Sequence, residues 1–306
     1  METIDQVVIR FNPEQLSLLN ICLAFLMFGV ALDLRVDHFK ELFRQPRRPL
    51  LGLVSQWILL PALTIGLIAL FRPAPSMALG MILIACCPGG NVSNYAVHLS
   101  GSNTALSIVM TTISTLAAVI VTPVYFSEAG TWLPETRELA SQIHVPLRDM
   151  IFTILKLIVL PLILGMVLNA RYPAFTARIE GAVKGLSMAI FLSFIAFALY
   201  GNWDNLVNYI HLVFLLVFIH NTLALLVGYQ FGRMMKLSLA DTRTISIETG
   251  IQNSGLALLL IFNFFDGLGG MAIMAAWWGI WHLVSAFTLA MFWRNRIPQG
   301  QVQPVS

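Results

Sequence analysis

Charged residues are scarce in this sequence: Asp, Glu, Lys and Arg make up 11% of its 306 residues, against 58% hydrophobic. With a mean hydropathy of +0.79, that balance excludes a soluble globular domain, which has no core large enough for so much apolar surface. The chain therefore reads as an all-α integral membrane protein. Cysteine is scarce too. Cys22, Cys86 and Cys87 lie in apolar runs, and neighbouring cysteines do not form a strain-free disulfide with each other, so all three read as small buried hydrophobes. No cleavable signal is evident, because the polar opening METIDQVVIRFNPEQ leads into an apolar segment with no small-residue cleavage site. The first span is thus expected to direct its own insertion. There is no HExxH, no GxSxG and no pair of aspartates, which argues against an enzyme. The net charge of +3 comes from basic loops, which speak of membrane orientation and not of nucleic acid.

A membrane span takes about 20 mainly apolar residues. On that measure nine spans are expected, over 15–34, 50–71, 76–99, 103–127, 147–170, 184–201, 209–232, 241–264 and 267–293. The connections are short, which excludes a separate soluble domain; only 128–146 is long enough for an exposed loop or surface helix. Thirteen Lys and Arg residues fall on one side of these spans and four on the other, with Lys156 inside a span. That bias places the N-terminus outside and the C-terminus in the cytoplasm of a multi-pass cell-membrane protein.

Polar residues inside the spans carry the functional argument. The stretch CCPGGNVSN, residues 86–94, puts a proline, two glycines, two asparagines and a serine where an unbroken helix is otherwise expected. A second such stretch, ISIETGIQNSGLALLL, holds Glu248, the one acidic residue well inside a span; Asp33, Asp149 and Asp241 sit at span edges. A charge at that depth costs about 2.5–3.5 kcal/mol on insertion scales, so its retention points to function. Each half of the chain runs in the same order: a span with a polar centre (Gln56, then His220 and Asn221), a broken span, and a long intact span. The two triplets enter the membrane from opposite sides, which describes an inverted repeat with discontinuous helices, the layout of secondary transporters. Unwound backbone at that depth survives only against protein or a water-filled cavity. Carbonyls at half-helix C-termini attract cations, and N–H groups at half-helix N-termini attract anions. Ser107, Thr111, Ser114 and Thr115 add hydroxyls to one helix face. Alone such residues read as helix–helix hydrogen bonding. Beside a carboxylate and two amides they read as ligands of a hard monovalent cation.

At these residues the chain resembles the bile acid:sodium symporter family. CCPGGNVSN, the following GSNTALSIVMTTIST, ETGIQNSG and the Trp281–His282 pair look like that family's signatures, in order and over nearly the whole chain. The resemblance implies a panel domain (15–34 and 147–201) and a core domain (50–127 and 209–293), with 1–14 and 294–306 as termini. It further implies that the two broken helices cross in the core, with two co-transported sodium ions bound behind the crossing. The first ion would take Ser93, Asn94, Ser107, Thr111 and Glu248; the second Gln56, Glu248 and Gln252 with the carbonyls of Thr249 and Ile251. Asn91, Asn253 and His282 would face the substrate, a carboxylate-bearing organic anion, bile-acid-like or smaller. The family's bacterial members have ten spans, so this chain is similar to the nine-span animal arrangement; it also has Asn91 where bacterial members carry threonine, and Leu283 where they carry asparagine after the histidine. Sodium coupling is therefore more firmly implied than the identity of the anion, and the oligomeric state is open.

Other polar residues have blander readings. Lys156 snorkels to the interface or contacts an anion along a cavity. His98 reads as interfacial, His220 and His282 as structural or proton-coupling, and Trp277, Trp278 and Trp281 as packing and interfacial anchors. Two rivals to sodium symport stand beside it: a proton-coupled or uncoupled organic anion facilitator of the same fold, and an intramembrane enzyme using Glu248 with His220 or His282.

Overall fold

The protein is seen in a computed structural model that describes residues 4–5, 8–9, 13–32, 45–90, 92–142, 147–201 and 203–295. Helices occupy nearly all of them, and among the described residues there is no β-strand. In chain order they are α1 (Pro13–Ala31), α2 (Arg47–Phe71), α3 (Pro75–Cys86), α4 (Val92–Leu99), α5 (Thr104–Trp132), α6 (Pro134–Gln142), α7 (Leu147–Arg171), α8 (Pro173–Gly201), α9 (Trp203–Met234), α10 (Leu239–Gly250), α11 (Ser254–Phe264) and α12 (Gly269–Arg294). Among the described residues five segments are long and apolar enough to cross a membrane: α2, α5, α7, the Val213–Met234 part of α9, and α12. The chain is an all-α multi-pass membrane protein.

Several boundaries differ from the expected ones. Helix α8 begins at Pro173, well before the apolar run at 184, its first turns being helical although they carry the charged Arg178 and Glu180. The segment 128–146, expected as an exposed loop or surface helix, continues α5 to Trp132 and then forms α6; residues 143–146 lie outside the described residues, as does 35–44 of the basic loop.

Proline shapes two of the long helices. Pro61 in α2 and Pro161 in α7 have no N–H for the carbonyl four residues back. Each is preceded by one π-helical turn, Ser55–Leu59 and Leu155–Val159. Such a turn widens the helix locally and rotates its side chains. In α2 it carries Ser55 and Gln56 inward, both buried; in α7 it leaves Lys156 exposed.

Proline and glycine also explain the two interruptions. Cys87, the residue before Pro88, is driven to an extended conformation (φ −70°, ψ 155°), so α3 stops at Cys86. At the other interruption Ile251 is extended (φ −109°, ψ 113°), and the side chain of Asn253 caps the next helix by accepting from the N–H of Leu256 at 3.0 Å. The two interruptions are hydrogen-bonded to each other: Gly90 N–H donates to the Ile251 carbonyl at 3.1 Å, and Asn253 N–H to that of Pro88 at 2.8 Å.

Around them α3 packs on α5 and α12, α4 on α5 and α12, and α9 on α10 and α12, while α1 packs on α7 and α8. Leu79, Leu83, Leu256, Leu259, Met274 and Trp278 sit in the main apolar cluster. Gly228 and Gly232 bring α9 against α10: a Cβ on either would lie 3.0 Å from the backbone of Ser246 or Thr242. Small residues four apart permit this kind of close helix contact in membranes. The tight fit matters because α10, LADTRTISIETG, is polar yet buried from Asp241 to Gly250.

Candidate functional site

Glu248 is fully buried, two residues before the end of α10. Its carboxylate accepts from the hydroxyls of Ser93 on α4 and of Ser107 on α5, and Thr111 on α5 reaches both of its oxygens, at 3.2 and 3.1 Å. The spacing of Ser107 and Thr111, one turn apart, puts both on the α5 face that meets α10. Asn94 joins from α4, its amide oxygen 2.7 Å from the Ser107 hydroxyl and 3.2 Å from that of Thr111. Ser93 and Thr111 are themselves 3.4 Å apart. These are seven close oxygen–oxygen approaches served by three hydroxyl protons, so oxygen lone pairs outnumber the protons available to satisfy them. The structure brings together all five residues expected at the first ion position.

The residues expected at the second position gather beside it. Gln56 donates its side-chain amide to the main-chain carbonyl of Glu248 at 2.8 Å, and Gln252 donates to that of Thr249 at 3.0 Å. The carbonyl of Ile251 receives Gly90 N–H, and that of Gly250 receives the amide of Asn221 at 2.7 Å. The backbone carbonyls from Glu248 to Ile251 thus each have a protein donor. The side-chain oxygens of Gln56 and Gln252 have none, although both are buried. Buried amide oxygens without partners are costly, about 1–3 kcal/mol each, and mark places where something else completes the site. The donor set of hydroxyls, amides, carbonyls and a single carboxylate suits a hard cation.

Gly89 closes the space between the two groups. Its N–H donates to the Ser114 hydroxyl at 3.2 Å, and a Cβ there would lie 2.8 Å from Nε2 of Gln56 and 3.1 Å from Oε2 of Glu248. Of the residues expected to face substrate, Asn91 lies outside the described residues. Asn253 and His282 are buried, and each keeps one side-chain nitrogen (Nδ2 and Nδ1) without a partner. His98 is exposed. His220 is buried, 2.8 Å from the Thr64 hydroxyl, with its ring edge-on to Trp278.

Residues 20–209, well over half of the chain, match the Sodium Bile acid symporter family. The chain belongs to that family. Its relatives include a bacterial protein, "Uncharacterized sodium-dependent transporter YocS" of Bacillus subtilis (strain 168), 33% identical over 93% of this chain and 85% of that one. They also include plant proteins. "Probable sodium/metabolite cotransporter BASS2, chloroplastic" of Oryza sativa subsp. japonica is 29% identical over 92% of this chain, and "Probable sodium/metabolite cotransporter BASS6, chloroplastic" of Arabidopsis thaliana is 31% identical over 89%. The chain spans 64% and 66% of the length of these two plant proteins, just under two thirds. Membership makes the protein a membrane transporter of a small molecule and not an enzyme.

Within this symporter-family chain, five residues that touch the site went unassigned from sequence. Ser114 holds the Gly89 N–H, Ser55 bonds the Thr249 hydroxyl at 2.7 Å, and Asn221 takes its other contact from Ser285 at 2.5 Å. Ser within an apolar helix reads equally well as a packing residue, so Ser55 and Ser285 carried no sequence cue, whereas Gly89 lay in the interrupted stretch, Ser114 on the hydroxyl face and Asn221 beside a polar histidine.

Proposed function

We propose that the protein is a sodium-coupled symporter of a carboxylate-bearing organic anion, bile-acid-like or smaller, working by alternating access in the cell membrane. The observation that carries this reading is the convergence of Ser93, Asn94, Ser107 and Thr111 on Glu248, with more oxygens than protons between them. Sodium, a transported substrate here, binds at two positions: one among those five residues, the other among Gln56, Glu248, Gln252 and the second lone pairs of the Thr249 and Ile251 carbonyls. The names of the bacterial and plant relatives speak of sodium-dependent transport and of sodium/metabolite cotransport, which agrees with this reading.

The proposal includes an architecture. Nine spans, with α3/α4 and α10/α11 as the two discontinuous ones, form an inverted repeat whose broken helices cross; the core domain is 50–127 with 209–293, the panel domain 15–34 with 147–201. The N-terminus lies outside and the C-terminus in the cytoplasm. The anion binds where the N-termini of α4 and α11 meet, attracted by the positive ends of the two half-helix dipoles and contacted by Asn91, Asn253 and His282.

Coupling follows from shared parts. An ion among the five oxygen ligands draws α4, α5 and α10 together, and α10 is joined to α4's approach through Gly90 N–H and the Ile251 carbonyl. The same backbone carries Asn253. Sodium therefore orders the anion site, and by linkage the anion raises sodium affinity by the same factor. Each positive charge entering across 100 mV supplies about 2.3 kcal/mol.

The test is uptake of a panel of labelled carboxylates into proteoliposomes under inward sodium or potassium gradients. Sodium-dependent uptake lost in Glu248→Ala is expected. Uptake that proceeds equally in potassium would replace this reading with the proton-coupled or uncoupled facilitator.

A further inference from the structure

Helices α5 and α10 run in the same direction and meet along one polar seam. Its inner rung is the ion cluster, Ser107 and Thr111 against Glu248. An outer rung lies one turn earlier on both helices, about 6 Å away by helix rise. There Asn103, the residue that starts α5, uses every polar group it has. Its side-chain oxygen accepts from Leu106 N–H at 3.1 Å, capping the helix, and its Nδ2 donates to Asp241 at 2.7 Å. Its backbone N–H donates to the Thr244 hydroxyl at 3.0 Å, and that hydroxyl lies 3.2 Å from its carbonyl.

Asp241 is 2% exposed at the start of α10, and its second oxygen is paired with Arg48 at the start of α2, 3.3 Å away. The Ser238 hydroxyl accepts the N–H of Asp241 and caps α10. The outer rung therefore ties together the first turns of α2, α5 and α10. The same three helices supply Gln56, Ser107, Thr111 and Glu248. Asn103 and Thr244 each precede an ion-cluster residue on the same helix face by four positions, Ser107 and Glu248. A shift of α5 along α10 that separates the outer pair separates the inner one by the same distance.

We infer that Asn103, with Asp241, Thr244 and Arg48, is a set of positioning residues that fixes the register of α5 against α10 and thereby sets sodium affinity at the Glu248 cluster. None of the four touches the ion. The inference rests on the sodium site proposed above, and the experiment separates the two.

The substitution Asn103→Asp retains a good N-cap, since Asp caps as well as Asn, but replaces the donor to Asp241 with a like charge. The swap of both residues, Asn103→Asp with Asp241→Asn, restores one donor facing one acceptor. Purified full-length protein is titrated with sodium chloride, with potassium chloride holding ionic strength, and the melting temperature is followed. The melting temperature in potassium alone reports the fold; the half-saturating sodium concentration, obtained by fitting the thermal gain to the logarithm of one plus the ratio of sodium to that concentration, reports the site.

Asn103→Asp is expected to raise that concentration about tenfold, the scale of one hydrogen bond to a charged group, and the swap to return it to within about threefold of the parent. A half-saturation unchanged in Asn103→Asp, or a swap no better than the single variant, overturns the inference. If Asn103→Asp gives no melting transition in potassium, Thr244→Val decides: it removes one hydroxyl, a shift of about threefold is expected, and none overturns the inference. A parent protein whose melting is indifferent to sodium overturns the ion site itself, and this register device with it.

Discussion

Gln56 holds the main-chain carbonyl of Glu248 with its amide nitrogen at 2.8 Å while its own amide oxygen stays buried without a partner. One side chain thus fixes the helix that bears the carboxylate and presents an unused ligand beside it. The π-helical turn before Pro61 is what turns Gln56 toward α10.

This division of labour predicts two separable ions. Gln56→Met keeps the volume and removes the free oxygen together with the donor. In potassium these losses oppose each other, because one orphaned acceptor disappears as another donor is withdrawn, so melting moves by no more than the equivalent of about 1 kcal/mol. In sodium, binding in the Gln56 variant is expected to fit a single ion, with a Hill coefficient near one. Thr111→Val leaves the Gln56 position and removes a ligand of the other, and combining both abolishes the sodium gain. Gln56→Met that retains the parent's steep sodium dependence removes Gln56 from the ion ligands.

The second prediction concerns Gly89. A methyl group there meets Nε2 of Gln56 at 2.8 Å and Oε2 of Glu248 at 3.1 Å, in the space between the two clusters. Gly89→Ala is expected to reduce sodium-dependent uptake at least about tenfold, because an ångström of displacement at a ligand site is felt at that scale. Gly66 in α2 is the control. A Cβ there meets nothing within 4 Å, so Gly66→Ala transports normally and melts no lower than the parent.

The third prediction tests orientation. Cys22, Cys86 and Cys87 are all free and buried, so the parent protein gives little background with a membrane-impermeant maleimide. Trp132, at the C-terminal end of α5, and Tyr172, just past the C-terminal end of α7, are both 60% exposed. Trp132→Cys is expected to label from outside intact cells and Tyr172→Cys only after permeabilisation. The reverse pattern inverts the proposed topology.

Much of this site could be read from the chain before folding because polar residues in apolar spans are costly, and that cost is local. Glu248 and Gln56 stand out for that reason; Ser107 and Thr111 do so only beside them, and Ser93 was implied by the family resemblance. The breaks at CCPGGNVSN and GIQNSG are legible on the same ground, since each crowds glycines and amides, the first with Pro88 among them, into a few residues of an apolar span. The π-helical turns were not legible, although Pro61 and Pro161 mark them, because proline equally produces a simple kink. The contacts of Asn103 with Asp241 and of Ser55 with Thr249 join residues far apart in the chain, and no periodicity in either segment names its partner.

Asn221 supplies the fourth prediction. Its Nδ2 donates to the Gly250 carbonyl, the last of α10, at 2.7 Å, and its oxygen accepts from Ser285 on α12 at 2.5 Å. Helix α12 also carries His282, one turn away, so Asn221 links the end of the ion-bearing half-helix to the helix expected to face the anion. Asn221→Ala leaves the Gly250 carbonyl without that donor in a site closed to water, a cost of about 1–3 kcal/mol in stability. Ser285→Ala costs less, because Asn221 keeps its donor bond and loses only one on its acceptor side. If the three residues act as one unit, the double variant is no worse than Asn221→Ala alone, and the two single losses do not add. A chain of this kind also predicts a signature in transport: Ser285→Ala, which removes no proposed ion ligand, raises the half-saturating anion concentration and weakens the dependence of that concentration on sodium. Additive stability losses with an unchanged sodium dependence reduce Asn221 to a packing contact between α9 and its neighbours.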